Sequence, residues 1–292
     1  MLTELATGDI TAVIADNEPH PELDGHKAGY NGVAKLTHVK RRENLFVPHY
    51  AGLNLELYFD GKQSPRPELF EPRSASMQLT RHSDTSATLH QPPTPVWQME
   101  SRTTFTVRAP HYIDFEYRAS PAKQTSRTGW IGAFWASYID HPEDLALQFP
   151  AVSAGGERWV RHYSPVHGVE STHRHPRETR DIVAPKGQSM YMYASYSPWR
   201  YARSFYAGFS HGMMYLFMVE DSPAVRFTQS PSGAGRGCPA WDCQLIMDDP
   251  VPGKEYTLRA RVAYKPYAGR SDIEAEYQQW CRLLDDRGHA QR

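Results

Sequence analysis

What most limits the folds open to this chain is a rhythm. Short runs of β-branched and aromatic residues recur from residue 10 to residue 264, separated by Pro, Gly, Asp and Ser, and helical periodicity is nearly absent until the end. The runs are Ile10–Ala15, Val33–Val39, Leu53–Phe59, Met77–Arg81, Thr103–Arg108, Tyr112–Arg118, Trp130–Tyr138, Met190–Tyr196, Met213–Val219, Val225–Gln229 and Tyr256–Tyr264. Several alternate with period two. In Tyr112–Arg118, Ile113, Phe115 and Tyr117 fall on one face, and Asp114, Glu116 and Arg118 on the other, the pattern of half-buried antiparallel strands. So many short strands predict an all-β fold, a large antiparallel β-sandwich. No Gly/Ser linker or charge run marks a boundary, so residues 1–292 are expected to form one domain. One helix is signalled, at about 271–287. Ser271-Asp272-Ile273-Glu274 has the form of a capping box with Ser271 as N-cap, and Ile273, Tyr277, Trp280 and Leu284 repeat at helical spacing.

Charge and cysteine content exclude several classes. The formal net charge is −1, with no basic surplus to neutralise a phosphate backbone, so nucleic acid is not the expected partner. Arginine outnumbers lysine 24 to 8, a bias that either base composition or the recognition of carboxylates by guanidinium forks would produce. Cys238, Cys243 and Cys281 cannot build a disulfide framework, and the C-x4-C pair lacks a second pair for a zinc site of the usual kind. Residues 1–22 lack a basic stretch followed by an apolar run, and no window is apolar enough to span a membrane, so the cytoplasm is the expected compartment. No G-x-S-x-G elbow, P-loop or dinucleotide fingerprint is present, and the glycines of 233–237 are expected in a loop.

Histidine supplies 14 of the 292 residues. Two stretches echo each other: His26-Lys27-Ala28-Gly29-Tyr30-Asn31 and His49-Tyr50-Ala51-Gly52-Leu53-Asn54, both H-x-A-G-x-N and both leading into a strand. Shared turn chemistry would explain the echo. Alternatively, both loops deliver a His and an Asn to one sheet end, where imidazole serves as acid or base and amides bind hydroxyls. Glu56 follows on the second strand, on the same face as Asn54.

A second cluster runs from His162 to His175. If 171–175 is extended, His173 and His175 project to one side, and His167 or Glu170 would complete a set for zinc or another transition metal. A metal-free polar loop is the plain alternative. The third cluster is aromatic and basic: Tyr191, Tyr193, Tyr196, Trp199, Arg200, Tyr201, Arg203, Phe205 and Tyr206. Ser197–Tyr201 breaks the alternation and reads as a loop, which makes Trp199 and Arg200 candidates to stack on and pair with a ligand. Trp135 is weighed in the same way, with core packing as the competing role.

The strand series, the loops rich in His, Arg and Trp, and the closing strand Pro252-Gly253-Lys254-Glu255-Tyr256-Thr257 together resemble the galactose-mutarotase-like β-supersandwich. The resemblance spans most of residues 10–267 and is one of architecture. That superfamily includes aldose epimerases and domains of glycosidases and polysaccharide lyases. Against the epimerases' His-Pro-containing catalytic strand, His141-Pro142 and His175-Pro176 are two-residue matches.

The leading expectation is proton transfer on a sugar or sugar acid, by epimerisation or β-elimination. His49 or His167 is the candidate base, Tyr50 the acid, and Arg73 or Arg200 the holder of the anion. His26, Asn31, Asn54, Glu56, Trp135, Trp199 and Arg200 are candidate substrate contacts. Glycoside hydrolysis by two of Glu56, Asp60, Glu100 and Glu170 is the second reading. A divalent metal at His167, His173 and His175 is the third, and a non-catalytic carbohydrate-binding protein the fourth. The expected partner is a carbohydrate small molecule or oligosaccharide, with a homodimer through exposed strands as a further expectation.

Overall fold

The computed structural model describes residues 1–62, 69–182 and 192–290. Two large sheets dominate. The nine-stranded sheet has the order β11 (Gly156–His162), β10 (Leu147–Ser153), β14 (Phe205–Ser210), β15 (Met213–Val219), β18 (Tyr256–Pro266), β8 (Tyr112–Pro121), β7 (Met99–Arg108), β6 (Ser86–Gln91) and β5 (Gln78–Ser83). The six-stranded sheet has the order β13 (Tyr196–Arg200), β12 (Thr172–Arg174), β16 (Val225–Ser230), β17 (Ala240–Asp248), β9 (Trp130–Ala136) and β4 (Asn54–Phe59). A three-stranded sheet, β1 (Leu2–Thr7), β2 (Ile10–Ala15) and β3 (Gly32–His38), adds to one side. All pairings are antiparallel except the short edge pair β12–β13.

Alternation divides each strand between two environments. On β9, Ile131, Ala133 and Trp135 join the core between the large sheets, while Phe134 and Ala136 face outward. On β17, Trp241, Cys243, Leu245 and Met247 face the same core, and Ala240 and Ile246 face outward. The inner core draws on all three sheets, from Leu5 and Ile14 through Phe105, Phe115 and Tyr117 to Phe217, Phe227 and Val262. On β9, Gly132 permits close packing, since a Cβ there would lie 2.2 Å from the Phe59 ring.

The C-terminal helix covers the outer face of the nine-stranded sheet at β14, β15, β18 and the start of β8. A four-residue helix α1 (Glu71–Ser74) follows β4, and α2 (Arg270–Ala290) closes the chain. Ile273 and Trp280 of α2 bury against Tyr112, Phe205, Met214 and Leu216. No helix among the described residues is long and apolar enough to cross a membrane.

Three local expectations are corrected. Helix α2 begins at Arg270, and the Asp272 and Ile273 amides donate to Gly269, so Ser271 lies inside the first turn and is not the N-cap. The run expected as a strand over Met190–Tyr196 contains a 3₁₀ turn at Met192–Ala194, with Met190 and Tyr191 outside the described residues. Ser197–Tyr201 is not a loop, because Tyr196–Arg200 forms β13 at the sheet edge. The strands Leu2–Thr7, Ser86–Gln91, Leu147–Ser153, Gly156–His162, Phe205–Ser210 and Ala240–Asp248 join those expected.

Candidate active site

The two echoing loops lie side by side. The Lys27 amide donates to the His49 carbonyl oxygen (3.2 Å), and the Val33 and Gly52 backbones bond reciprocally at 2.8 Å. Asn31 is spent on architecture. Its amide donates to the Leu55 carbonyl (3.0 Å), and its Oδ1 accepts the Leu55 amide (3.1 Å), clamping β4 at that residue.

Immediately after the clamp β4 bulges. Leu55 pairs with Trp135 and Leu57 with Phe134, so Glu56 is an extra residue with no partner on β9. Bulges re-aim side chains. Here Leu55 and Tyr58 face the inner core, whereas Leu57 and Phe59 join the outer apolar cluster. Glu56 points outward with them and accepts the Tyr138 hydroxyl (2.8 Å) and a long bond from the Arg73 guanidinium (3.3 Å). Burial raises the pKa of its carboxyl, with Arg73 and Tyr138 acting in the opposite direction. Burial also holds the Tyr138 phenol well above its ordinary value, so it remains a donor.

Arg73 is firmly held. Its helix α1 is anchored by Glu71, whose carboxylate accepts the Val96 (2.6 Å) and Trp97 (2.9 Å) amides, and by the Asn17 and Gln91 amides on the Pro72 and Ala75 carbonyls. The Arg73 Nε donates to Gly29 (3.0 Å), and the guanidinium lies 4.1 Å from the Tyr30 ring centroid. Gly29 has φ +86°, and a Cβ there would sit 3.3 Å from Arg73 Nε, so the loop needs glycine to approach the guanidinium. Tyr30, Tyr50 and Tyr138 form an aromatic group with centroids 4.4–5.6 Å apart, Tyr30 edge-on to the other two.

The register extends the polar surface across the sheet. Asn54 is opposite Ala136, Asp242 opposite Thr228, and Thr228 opposite Thr172, while Gln244 lies between Phe134 and Arg226. All are buried. Both polar atoms of the Asn54 side chain, Asp242 Oδ2 and Gln244 Oε1 lack a hydrogen-bond partner among the described residues. Buried polar groups are nearly always satisfied, so these atoms are exceptions that leave hydrogen-bonding capacity on this face. Asp242 accepts the Ser137 amide (3.1 Å), and burial together with the nearby Glu56 charge raises its carboxyl well above the ordinary range. Farther along the same face, Arg226 and Glu178 form a fully buried ion pair, with Arg226 also donating to the Tyr193 carbonyl (3.0 Å).

The structure therefore brings Tyr50, Arg73, Asn54 and Glu56 to one outer face, with His26 and His49 in the loops beside it. His26 is buried and its Nε2 meets the Tyr30 carbonyl oxygen (2.7 Å). His49 is exposed, with Nδ1 on the Gly25 carbonyl oxygen (3.1 Å).

The remaining candidates go elsewhere. Trp135 is 1 % exposed and packs between the rings of Phe115 and Tyr117 in the inner core. Trp199 is half-buried under the Arg158 guanidinium (4.5 Å), and Arg200 donates to the His175 and Glu178 carbonyls. His167 meets Ser230 Oγ (2.9 Å). His173 is buried against Phe149 and His162 with Nδ1 on Ser197, and His175 pairs with Asp221 (3.1 Å). With three separate partners, these rings do not converge on a common metal position. Asp60 is fully buried and accepts both arms of Arg127, Glu100 accepts from His90 and Arg102, and Glu170 is exposed.

Tyr30, Tyr138 and Gln244 were not singled out from the sequence. Tyr30 sits inside the first echo. Asp242 and Gln244 are visible as the polar phase of Ala240–Asp248, once that segment is taken as a strand.

No family model matches the sequence, and no curated protein matches it significantly. Solved structures do match. A galactose mutarotase related enzyme from Lactobacillus acidophilus superposes with TM-score 0.53 at 10 % identity, covering 92 % of this chain and 100 % of the other. An aldose epimerase homologue from C. elegans gives TM-score 0.51 at 11 % identity, covering 92 % and 99 %. An α-N-acetylgalactosaminidase from Bifidobacterium bifidum gives TM-score 0.50 at 9 % identity, covering 98 % of this chain and 39 % of the other. The chain has the galactose-mutarotase-like β-supersandwich fold.

Proposed function

We propose that this chain is a carbohydrate-active enzyme that transfers protons on a sugar or sugar acid held against the outer face of the six-stranded sheet. The observation that carries this reading is the buried Glu56 carboxyl, with one good hydrogen bond and one long one, on the same sheet face as a second buried carboxyl, Asp242. Two neighbouring carboxyls in low dielectric resist ionising together, so one stays protonated as an acid while the other serves as a base. A carboxyl with a raised pKa is also a better base near neutrality.

Around this pair the chain offers the other parts that proton transfer needs. Arg73 and the Tyr138 hydroxyl donate toward Glu56, where they would also stabilise negative charge on a substrate oxygen. The Tyr30 and Tyr50 rings, both half-buried, suit the apolar face of a sugar. His49 Nδ1 faces a carbonyl oxygen that can only accept, so the neutral ring carries its proton there and leaves Nε2 basic. That tautomer supports His49 as the second proton carrier. The fold likeness to an aldose epimerase homologue and a galactose mutarotase related enzyme supports sugars as the substrate class. Glycoside hydrolysis by Glu56 and Asp242 is the second reading, because the same paired carboxyls favour it.

The test is NMR of the purified protein with a panel of aldoses, uronic acids and aryl glycosides. It follows anomer exchange, epimer formation, elimination and hydrolysis in parallel. The expected result is accelerated interconversion of one sugar class, lowered at least ~100-fold in Glu56→Gln. Hydrolysis in place of interconversion would select the second reading. No turnover of any member, or full turnover in Glu56→Gln, would overturn the assignment.

A further inference from the structure

Past the end of β9 a different group of side chains converges, none of which the proposed proton transfer uses. Tyr138 bridges Ala240 in antiparallel register, which sets Asp140 across from Cys238. Backbone bonds fix both segments: the Ile139 amide donates to Pro239 (2.9 Å) and the Asp140 amide to Leu45 (2.9 Å). Cys238 Sγ lies 3.3 Å from His141 Nδ1 and 3.9 Å from Asp140 Oδ1, and His141 Nδ1 lies 2.8 Å from Asp140 Oδ1. All three ligand atoms fall within 4.8 Å of one another, and they are the only such group of His, Cys, Asp or Glu among the described residues.

A relay that activates a thiol would need the acid and the sulfur on different ring nitrogens. Here Asp140 Oδ1 lies on Nδ1, while the sulfur lies 3.3 Å from Nδ1 and 3.7 Å from Nε2, so the two ring nitrogens are not divided between acid and sulfur. A metal ion would draw on all three groups at once. Zn–S near ~2.3 Å and Zn–N or Zn–O near ~2.0–2.2 Å imply tetrahedral ligand-to-ligand edges of roughly 3.3–3.6 Å, a range that the observed edges of 2.8, 3.3 and 3.9 Å straddle, so small side-chain rotations would seat the ion. Gly237 (φ +81°) brings its backbone against the ring, its notional Cβ lying 3.2 Å from His141 Cδ2. The His141 side chain is 70 % exposed and that of Asp140 38 %, so the group is open to solvent on one side.

We propose that Asp140, His141 and Cys238 form a binding site for a single thiophilic divalent cation of the zinc type, with a fourth position open to water. On binding, the Cys238 thiol proton passes to solvent and the sulfur becomes a metal-bound thiolate. The soft sulfur selects zinc or cobalt over magnesium or calcium. The cation ties the turn after β9 to the turn before β17.

Cobalt(II) titration of untagged protein provides the test, because thiolate-bound tetrahedral cobalt absorbs in the near-ultraviolet and the visible. The expected result is one equivalent of cobalt with a thiolate charge-transfer band, displaced by zinc and unaffected by magnesium. Cys238→Ser should abolish the band, and Cys281→Ser should leave it intact. His141→Ala, at an exposed side chain whose loss the fold tolerates, should weaken zinc binding at least tenfold. The site is overturned if no charge-transfer band forms, if the band survives Cys238→Ser, or if zinc affinity is unchanged in His141→Ala.

Discussion

Glu56 and Glu276 are both buried carboxylates on the outer face of a large sheet, and their surroundings push them in opposite directions. Glu276, on α2 over the nine-stranded sheet, accepts the Tyr112 hydroxyl (2.7 Å) and Lys265 Nζ (2.7 Å) and meets His111 Nε2 (3.3 Å). These bonds outweigh burial and hold its pKa down at about 2. Glu56 has one good hydrogen bond and one long one, and burial wins. The first arrangement is a fully bonded clamp for a helix. In the second, acceptor capacity is left over, and leftover capacity is what a substrate can use.

The largest expected effect tests whether the six-stranded face is under-bonded throughout. It is not, because Arg226 and Glu178 are fully paired there. Glu178→Ala leaves a buried guanidinium alone and should cost about 3–5 kcal/mol in denaturant unfolding. Next in size, Glu56→Gln should lower turnover ~100-fold or more while changing stability by less than about 1 kcal/mol, since little bonding is lost. Glu276→Gln should do the reverse. It should lose about 1–3 kcal/mol at neutral pH with turnover unchanged, because the charge-assisted bonds from Lys265 and Tyr112 weaken. A Glu276→Gln variant as stable as the parent would erase the distinction between the two faces.

The smallest effect is in pH dependence, and its sign differs between the regions. Glu276, depressed from 4.5 to about 2, contributes stability that is present above its unfolded pKa and is lost as pH falls through that interval. Asp242 and Glu56 are raised, so the native state binds more protons than the unfolded chain. Their contribution therefore falls as pH climbs from the ordinary carboxylate values of 3.8 and 4.5 through the raised ones. Asp242→Asn keeps an acceptor for the Ser137 amide and removes a charge. It should flatten the alkaline slope and raise stability at pH 8 by up to about 1 kcal/mol, read from melting curves across pH. An unchanged slope would remove Asp242 from the coupled pair.

Much of the fold was legible because period-two alternation survives wherever one sheet face is less apolar, as in β8. It fails where both faces are buried. Met213–Val219 is a continuous apolar run, and in Ala240–Asp248 the polar phase of Asp242 and Gln244 is as buried as the apolar one. The echoing loops fold side by side, and in the first of them Gly29 docks on Arg73 of α1 and Asn31 clamps β4. The histidine-rich stretch misled for a physical reason. Spacing gives the side of a strand but not the partner, and His173 spends its polarity on Ser197 inside the core. No pattern marks α1 or the three-residue β12, which tertiary contacts hold in place.

The bulge in β4 has a consequence for how such a site can arise. Without Glu56, the order Asn54, Leu55, Leu57, Tyr58, Phe59 is an unbroken alternation of outward and inward residues, already in register with β9. The acid is thus a single inserted residue, and the strand needs no other change to accommodate it. A chain lacking that one codon would keep both cores intact and have no carboxyl at this position. Within such a scaffold, a buried carboxyl on the outer face can be gained or lost by one insertion.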